Sequence, residues 1–296
     1  MKIKILSIVF LASTLLSNAQ SIDRQVLSSS GDYFEGPNSS ISWTVGEIAT
    51  ETLTNGNYIL TQGFQQPFGI VIHGLDLDVL VFLEGPYTSG NMNTTLRDEG
   101  QIPLDQPYNV SPWFYTGTEN VPGIPDNVVD WVLIDLRDAN SATAANPSTS
   151  VEIQAAFVLN NGSVVGLDGS SVLQFSATVS NEPYIVIWHR NHLGVLSTLP
   201  PTETDGIYTY DFSTAISQAY GGGLGYKPIS TGIYGMAAGD ANSDGTINMT
   251  DKTLWSANAG VSGYKPTDFN MDVQVDNTDK NGPLIENQDL SSQVPE

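Results

Sequence analysis

No cysteine occurs anywhere in the 296 residues. Disulfide cross-links and thiol chemistry are therefore excluded, and stability outside a cell must come from packed cores or bound metal. Positive charge is nearly as scarce, with 10 Lys and Arg against 32 Asp and Glu and a formal net charge of −22. A surface of that sign repels nucleic acid and anionic lipid, both of which need clustered Lys or Arg, and it attracts divalent cations. Charged residues make up only 14%. The surface must then be rich in Ser, Thr, Asn, Gln and Gly, a composition suited to strands and loops more than to solvent-exposed helices.

Long hydrophobic runs are also missing, apart from the first segment. Lys2 and Lys4 precede a mostly apolar stretch, Ile5 to Leu16, and small residues Ser17-Asn18-Ala19 follow before Gln20. This is the pattern of a secretory signal over residues 1–19, too short to span a bilayer, which needs about 20 apolar residues. The apolar run is followed by no cysteine for a lipid anchor, and no later stretch has the length of a transmembrane anchor. Removal of residues 1–19 takes away two lysines and no acid, leaving 8 basic and 32 acidic side chains and a net charge of −24. The expected location is outside the cytoplasm: extracellular, cell-surface or periplasmic.

The length fits two or three modest domains. Residues 20–67 read as a small β module: Ile41 to Val45 alternates apolar and polar, and Tyr58-Ile59-Leu60 follows the turn Asn55-Gly56-Asn57. Residues 70–236 read as a β-sandwich. Its strong runs are Leu75 to Leu83, Val128 to Leu136, a hairpin of Ile153 to Leu159 and Ser163 to Leu167, Val172 to Val179, Tyr184 to Val195 and Tyr208 to Phe212. Thr214 to Tyr220 is expected to form one short helix, and Gly221 to Gly225 a flexible link. The expected fold class is thus mainly β, with a small helical segment, 237–296, dominated by Asp, Asn and Gly.

That last segment carries the chemistry. Asp240, Asn242, Asp244, Asn248 and Asp251 place side-chain oxygens at positions 1, 3, 5, 9 and 12 of an EF-hand-type loop. Gly245 stands at the sharp turn of position 6, and Thr246 at position 7 offers its carbonyl. Calcium takes six to eight hard oxygens, and this spacing wraps five side chains and one carbonyl around a point. The pattern returns 28 residues later in Asp268, Asn270, Asp272, Gln274, Asp276 and Asp279, with Val273 at position 6. A β-branched residue resists the positive φ often used there, which predicts a weaker second site.

A duplicated loop ending in Asp at position 12 resembles the dockerin family, over Asp240 to Glu296. The resemblance implies two bound calcium ions, a short helix after each loop, and a cohesin-like partner facing positions 10 and 11, here Met249-Thr250 and Asn277-Thr278. The first helix is expected at Thr253 to Ala259, while Gly282-Pro283 is expected to interrupt the second. Ser40 to Glu47 with Ile59 to Pro67 resembles a module of secreted Bacteroidota proteins. Leu83 to Tyr87, Val129 to Leu133 and His189 to Leu193 resemble the β domain that precedes dockerin-like tails there. These likenesses imply architecture and export and supply no catalytic residue.

Other constellations carry less. His189 and His192 would point to opposite faces of a strand, which favours a structural role. Asp76 and Asp78 share a face and form a carboxylate pair of the kind glycoside hydrolysis needs, but with 32 acids such pairs arise by chance. Trp113, Phe114 and Tyr115 either pack beneath a loop or stack on sugar. No serine nucleophile elbow occurs. Three functions stay open: a non-catalytic exported protein with a calcium-binding tail for stabilisation or docking, a carbohydrate-active component that binds or cleaves glycan, and a calcium-stabilised structural surface protein.

Overall fold

A computed structural model describes residues 72–296 and, ahead of them, four strands of the N-terminal module. The chain divides into two compact units, Met1–Phe68 and Gly69–Glu296. In the first, β1 (Ser30–Gly36) pairs antiparallel with β2 (Ser39–Val45), and β3 (Thr52–Asn55) with β4 (Tyr58–Thr61). The alternating run Ile41 to Val45 falls within β2, and Tyr58 to Leu60 within β4. The signal segment 1–19, the turn residues 56–57 and Pro67 lie outside the described residues.

The second unit is built on β5 (Ile72–Leu80), followed by the short hairpin β6 (Tyr87–Thr88) and β7 (Asn91–Met92). Then come β8 (Val128–Ala139), β9 (Ser150–Leu159), β10 (Ser163–Val165), β11 (Leu173–Val179) and β12 (Glu182–Trp188). The series ends with β13 (Val195–Leu196), β14 (Thr202–Thr204), β15 (Ile207–Asp211), β16 (Tyr226–Ser230) and β17 (Ile233–Met236). Nine of these strands share one curled sheet in the order β13-β12-β8-β9-β10-β5-β15-β14, with β11 also on β5. One edge of β5 serves β11 and then β10, and the other serves β15 in the only parallel pairing of that sheet. The unit is mainly β, but hydrogen bonding joins its main strands into one continuous sheet where two stacked sheets were expected. The sheet branches at β5, where β11 and then β10 pair with successive stretches of one edge.

Period-two patterning explains β5, where Leu75, Leu77 and Val79 are buried while Asp76 and Asp78 face outward. The long run of β8 is buried on both faces, as its central place between β9 and β12 requires. The hairpin β9–β10 turns at Gly162 with φ +89°. The long segment between β7 and β8 folds back as a lid of anchored loops. Leu96, Ile102, Tyr108 and Val121 enter the core, and the Tyr108 hydroxyl donates to the Trp131 carbonyl at 2.7 Å.

Two expectations fail here. Thr214 to Tyr220 is not one helix but parts of two 3-10 turns, Phe212–Thr214 and Ile216–Gln218, broken by the extended backbone of Ala215. Gly221 to Gly225 is not a free link. A Cβ on Gly221 would overlap the Gln293 side chain, and one on Gly225 the Ser291 carbonyl. The glycines permit the C-terminal segment to lie directly on this loop. No helix among the described residues is long and apolar enough to cross a membrane.

Candidate metal centre

The segment 237–296 packs on the body through Leu193, Ala237, Ala238, Ile247, Trp255, Phe269, Val275 and Leu284, all buried. Within it the two Asp-rich loops adopt the same conformation. Position 4 is left-handed in both, Ser243 at φ +57° and Met271 at +59°, and so is position 6, Gly245 at +79° and Val273 at +81°. Val273 thus takes the conformation that its β-branch resists, and the loop does not bend differently.

Hydrogen bonds repeat position by position. Asp240 Oδ2 accepts from the Gly245 amide at 3.0 Å, and Asp268 Oδ2 from the Val273 amide at 2.9 Å. Asp251 Oδ1 accepts from Ala241 N at 2.8 Å and Oδ2 from Asn248 N at 2.8 Å. Asp279 accepts from Phe269 N at 2.6 Å and Asp276 N at 2.8 Å. Asp244 and Asp272 each accept from the amide two residues on, of Thr246 and Gln274, both at 2.9 Å. Asn248 and Asp276 cap the helices that follow, accepting from Thr250 N and Thr278 N at 2.6 Å. These capping boxes leave the N-terminal amides partnered and the loop carboxylates fixed in direction.

The first helix is Met249–Asn258, beginning four residues before the expected Thr253. The second is not interrupted. It starts at Asn277–Asp279 and continues as a π turn, Lys280–Leu284, through Glu286. Pro283 sits inside the widened turn, where its missing N–H and its ring are tolerated. The extra residue of the π turn also explains a spacing. Each loop bridges to the segment after the other loop's helix, Gln274 with Ser262 and Thr246 with Ser291. Between those bridges the loops repeat every 28 residues and the pairing segments every 29. Ile247 N donates to Leu290 O at 3.0 Å, and Val275 N to Val261 O at 2.9 Å. The Trp255 indole donates to Asp276 O at 2.9 Å, tying the first helix to the second loop.

Asp240, Asp251, Asp268 and Asp279 are at most 2% exposed, and none forms an ion pair with a cationic side chain among the described residues. Burial, then the nearby Asp251 charge, pushes the Asp240 carboxyl up to about 7. Burial raises Asp268 to about 7 as well, against the pull of Arg190 and with the push of Asp279. Asp251 and Asp279 are raised too, chiefly by burial. Among the described residues no group of three or more His, Asp and Glu side chains is drawn together as a preformed metal cluster. The donor set instead mixes carboxylates with Asn242, Asn270, Asn248, Gln274 and the Thr246 carbonyl. These are hard oxygens of the kind calcium or magnesium takes.

Sequence reasoning missed what lies beneath the loops. β12 ends at Trp188, so His189 and His192 are not on opposite faces of a strand; they turn toward each other, buried, with Nδ1 atoms 2.9 Å apart. His192 Nε2 accepts from the Gly85 amide at 3.2 Å, which leaves its proton on Nδ1. That proton faces His189 Nδ1 and Asn191 Oδ1, while His189 Nε2 donates to Asp130 Oδ2 at 3.2 Å. Asp130, fully buried in β8, also accepts from Arg190 Nε at 2.7 Å and the Tyr264 hydroxyl at 2.7 Å. Burial alone would raise its carboxyl, but Arg190 and His189 hold it at about 2.

This cluster reaches both loops. The Asn191 amide donates to Asp268 O at 2.7 Å, Arg190 Nη1 to Lys265 O, and Arg190 O accepts from the Ser243 hydroxyl at 3.0 Å. The Arg190 guanidinium lies 4.1 Å from the Tyr264 ring centre. Gly85 completes the seam, since a Cβ there would overlap the Phe269 carbonyl. The one available signal was His-Arg-Asn-His directly after an apolar strand. Asp76 and Asp78, by contrast, sit on the outward face of β5 and converge with no other candidate. Of the three aromatics, Tyr115 bonds to Glu119 and the Ile153 carbonyl, Trp113 packs edge-on against Tyr108, and Phe114 is 68% exposed. Compared with known proteins, the chain matches no family model, no curated protein and no solved structure.

Proposed function

We propose that this is an exported, non-catalytic protein whose paired C-terminal loops bind calcium, and that the ions complete the end of the β body. The observation that carries the reading is the pair of buried carboxylates in each loop, Asp240 with Asp251 and Asp268 with Asp279: among the described residues none of the four forms an ion pair, and the pull of Arg190 on Asp268 still leaves that carboxyl raised to about 7. Uncompensated buried charge costs several kcal/mol per ion, and a divalent cation removes that cost. In the first loop Asp240, Asn242, Asp244, Thr246, Asn248 and Asp251 would hold the ion. In the second, Asp268, Asn270, Asp272, Gln274, Asp276 and Asp279 would. The shared left-handed backbone at positions 4 and 6 supports equal geometry for both. The ion would supply charge compensation and cross-linking; no bond-making step is assigned to it.

The dockerin-like reading belongs here too. Met249, Thr250, Asn277 and Thr278 are exposed, with Met249 at 61%, so a cohesin-like or other surface protein could reach them. The test is thermal unfolding in calcium and in chelator. Calcium should raise the melting temperature of the native chain, Asp240→Asn and Asp268→Asn should each remove part of that rise, and the double variant all of it. A melting temperature indifferent to calcium would defeat the proposal.

A further inference from the structure

A cavity of about 650 Å3 opens beside the first loop, bordered by Trp113, Trp188, Arg137, Asp244, Thr246 and Ser292. That volume lies within the roughly 300–1,000 Å3 range of small-molecule sites. Its walls hold unspent hydrogen-bonding capacity. Trp131 and Trp255, the two other tryptophans of this unit, give their indole N–H to the Pro103 and Asp276 carbonyls, both at 2.9 Å. The half-buried Trp113 and Trp188 have no such partner among the described residues. Neither indole nitrogen is sealed from solvent, so both N–H groups are open to a ligand or to water.

Arg137 points the same way. Its side chain is 3% exposed; Nε donates to Asp135 at 2.8 Å and Nη1 to the Ala145 and Pro295 carbonyls at 2.7 and 3.0 Å. Nη2 has no hydrogen bond among the described residues and is not sealed from solvent. The guanidinium is thus fixed on three bonds, and Arg137 lines the cavity. The Trp188 ring is held in place as well, because it lies against Gly194 where a Cβ would overlap it. Thr246 and Asp244, which also line the cavity, add a hydroxyl and carboxylate oxygens.

We infer that this cavity binds a neutral oligosaccharide, stacked on Trp113 and Trp188 with its hydroxyls bonded to Arg137, Asp244 and Thr246. Sugar rings present apolar C–H faces to indoles and hydroxyls that both donate and accept, which matches walls made of aromatic faces, N–H donors and oxygen acceptors. Asp135 already neutralises Arg137, and the chain carries a net charge of −22, so an anionic ligand is disfavoured. The inference goes beyond the calcium reading and shares Asp244 and Thr246 with the first loop, so binding is compared with and without calcium.

The test uses the full chain, with short neutral oligosaccharides of glucose, xylose, mannose and galactose as probes, followed by tryptophan fluorescence and calorimetry in calcium and again in chelator. At least one series should shift the fluorescence and bind. Trp113→Ala should weaken that binding about tenfold or more, with the fold checked by melting. Trp188→Phe, which keeps a ring against Gly194 and loses the N–H and part of the face, should weaken it severalfold. No binding of any probe by the folded chain in either condition would overturn the inference and leave the calcium titration unaffected. Binding unchanged in both variants would also overturn it, as would capture of proline-rich peptides instead of saccharides.

Discussion

At the scale of single residues, Val273 and Asp130 make the sharpest demands. Val273 holds φ +81°, a region that costs a β-branched residue about 1–3 kcal/mol. Val273→Gly gives back the strain and loses less than that in unfolded-chain entropy, so the variant should melt a few degrees higher and bind calcium more tightly at the second loop. An unchanged or lower melting temperature would show that Val273 is held by packing that outweighs its strain. Asp130→Asn leaves Arg190 buried beside a neutral group, and should destabilise the chain by about 3–5 kcal/mol in denaturant titration. The spacing of oxygen residues was legible here because a coordinated ion needs donors at fixed offsets. The Asp130 to Arg190 contact was not, since nothing local announces that residues 60 apart will meet.

At the scale of elements, titration separates the two halves of the seam. Burial lowers the pKa of His189 and, more strongly, of His192 below the ordinary histidine value. Their contribution is therefore complete above about pH 6.5, the unfolded value, and is lost as pH falls toward the folded values. Protonation would also set N–H against N–H at Gly85 or between the rings. Asp240 and Asp268 run the opposite way without metal. A carboxyl raised to about 7 stabilises fully below 3.8, the unfolded value, and that contribution disappears as pH rises through 7. Between pH 3.8 and 6.5 the two effects oppose each other, so melting in chelator should fall most clearly above pH 6.5, where the carboxyls still titrate and the histidines no longer do. With calcium the alkaline fall should vanish, because the ligand favours the ionised carboxylates. The sequence placed the first helix within a few residues, but the interruption expected in the second does not occur. Pro283 is a helix breaker only while the turn has α geometry, and widening it to a π turn is a tertiary choice that pattern alone does not contain.

At the scale of the whole molecule, the C-terminal loops are part of the body's packing. Gly85, Asn191, Arg190 and Tyr264 join them to β5, β8 and the segment after β12. Gly85→Ala should push the Phe269 carbonyl away and cost about 1–3 kcal/mol of stability, read by denaturant titration. It should weaken calcium binding at the second loop more than at the first. The β character and the strand positions were legible from alternation and turn residues. The single branched sheet was not, because choosing which strands share an edge of β5 depends on contacts between distant segments. A direct count of the ions decides the central claim. Calorimetric titration of the metal-free chain with calcium should give two binding events, reduced to one by Asp240→Ala with Asp244→Ala, with proton release near pH 7 as the raised carboxyls ionise. An absence of heat and of any conformational change at millimolar calcium would contradict the account.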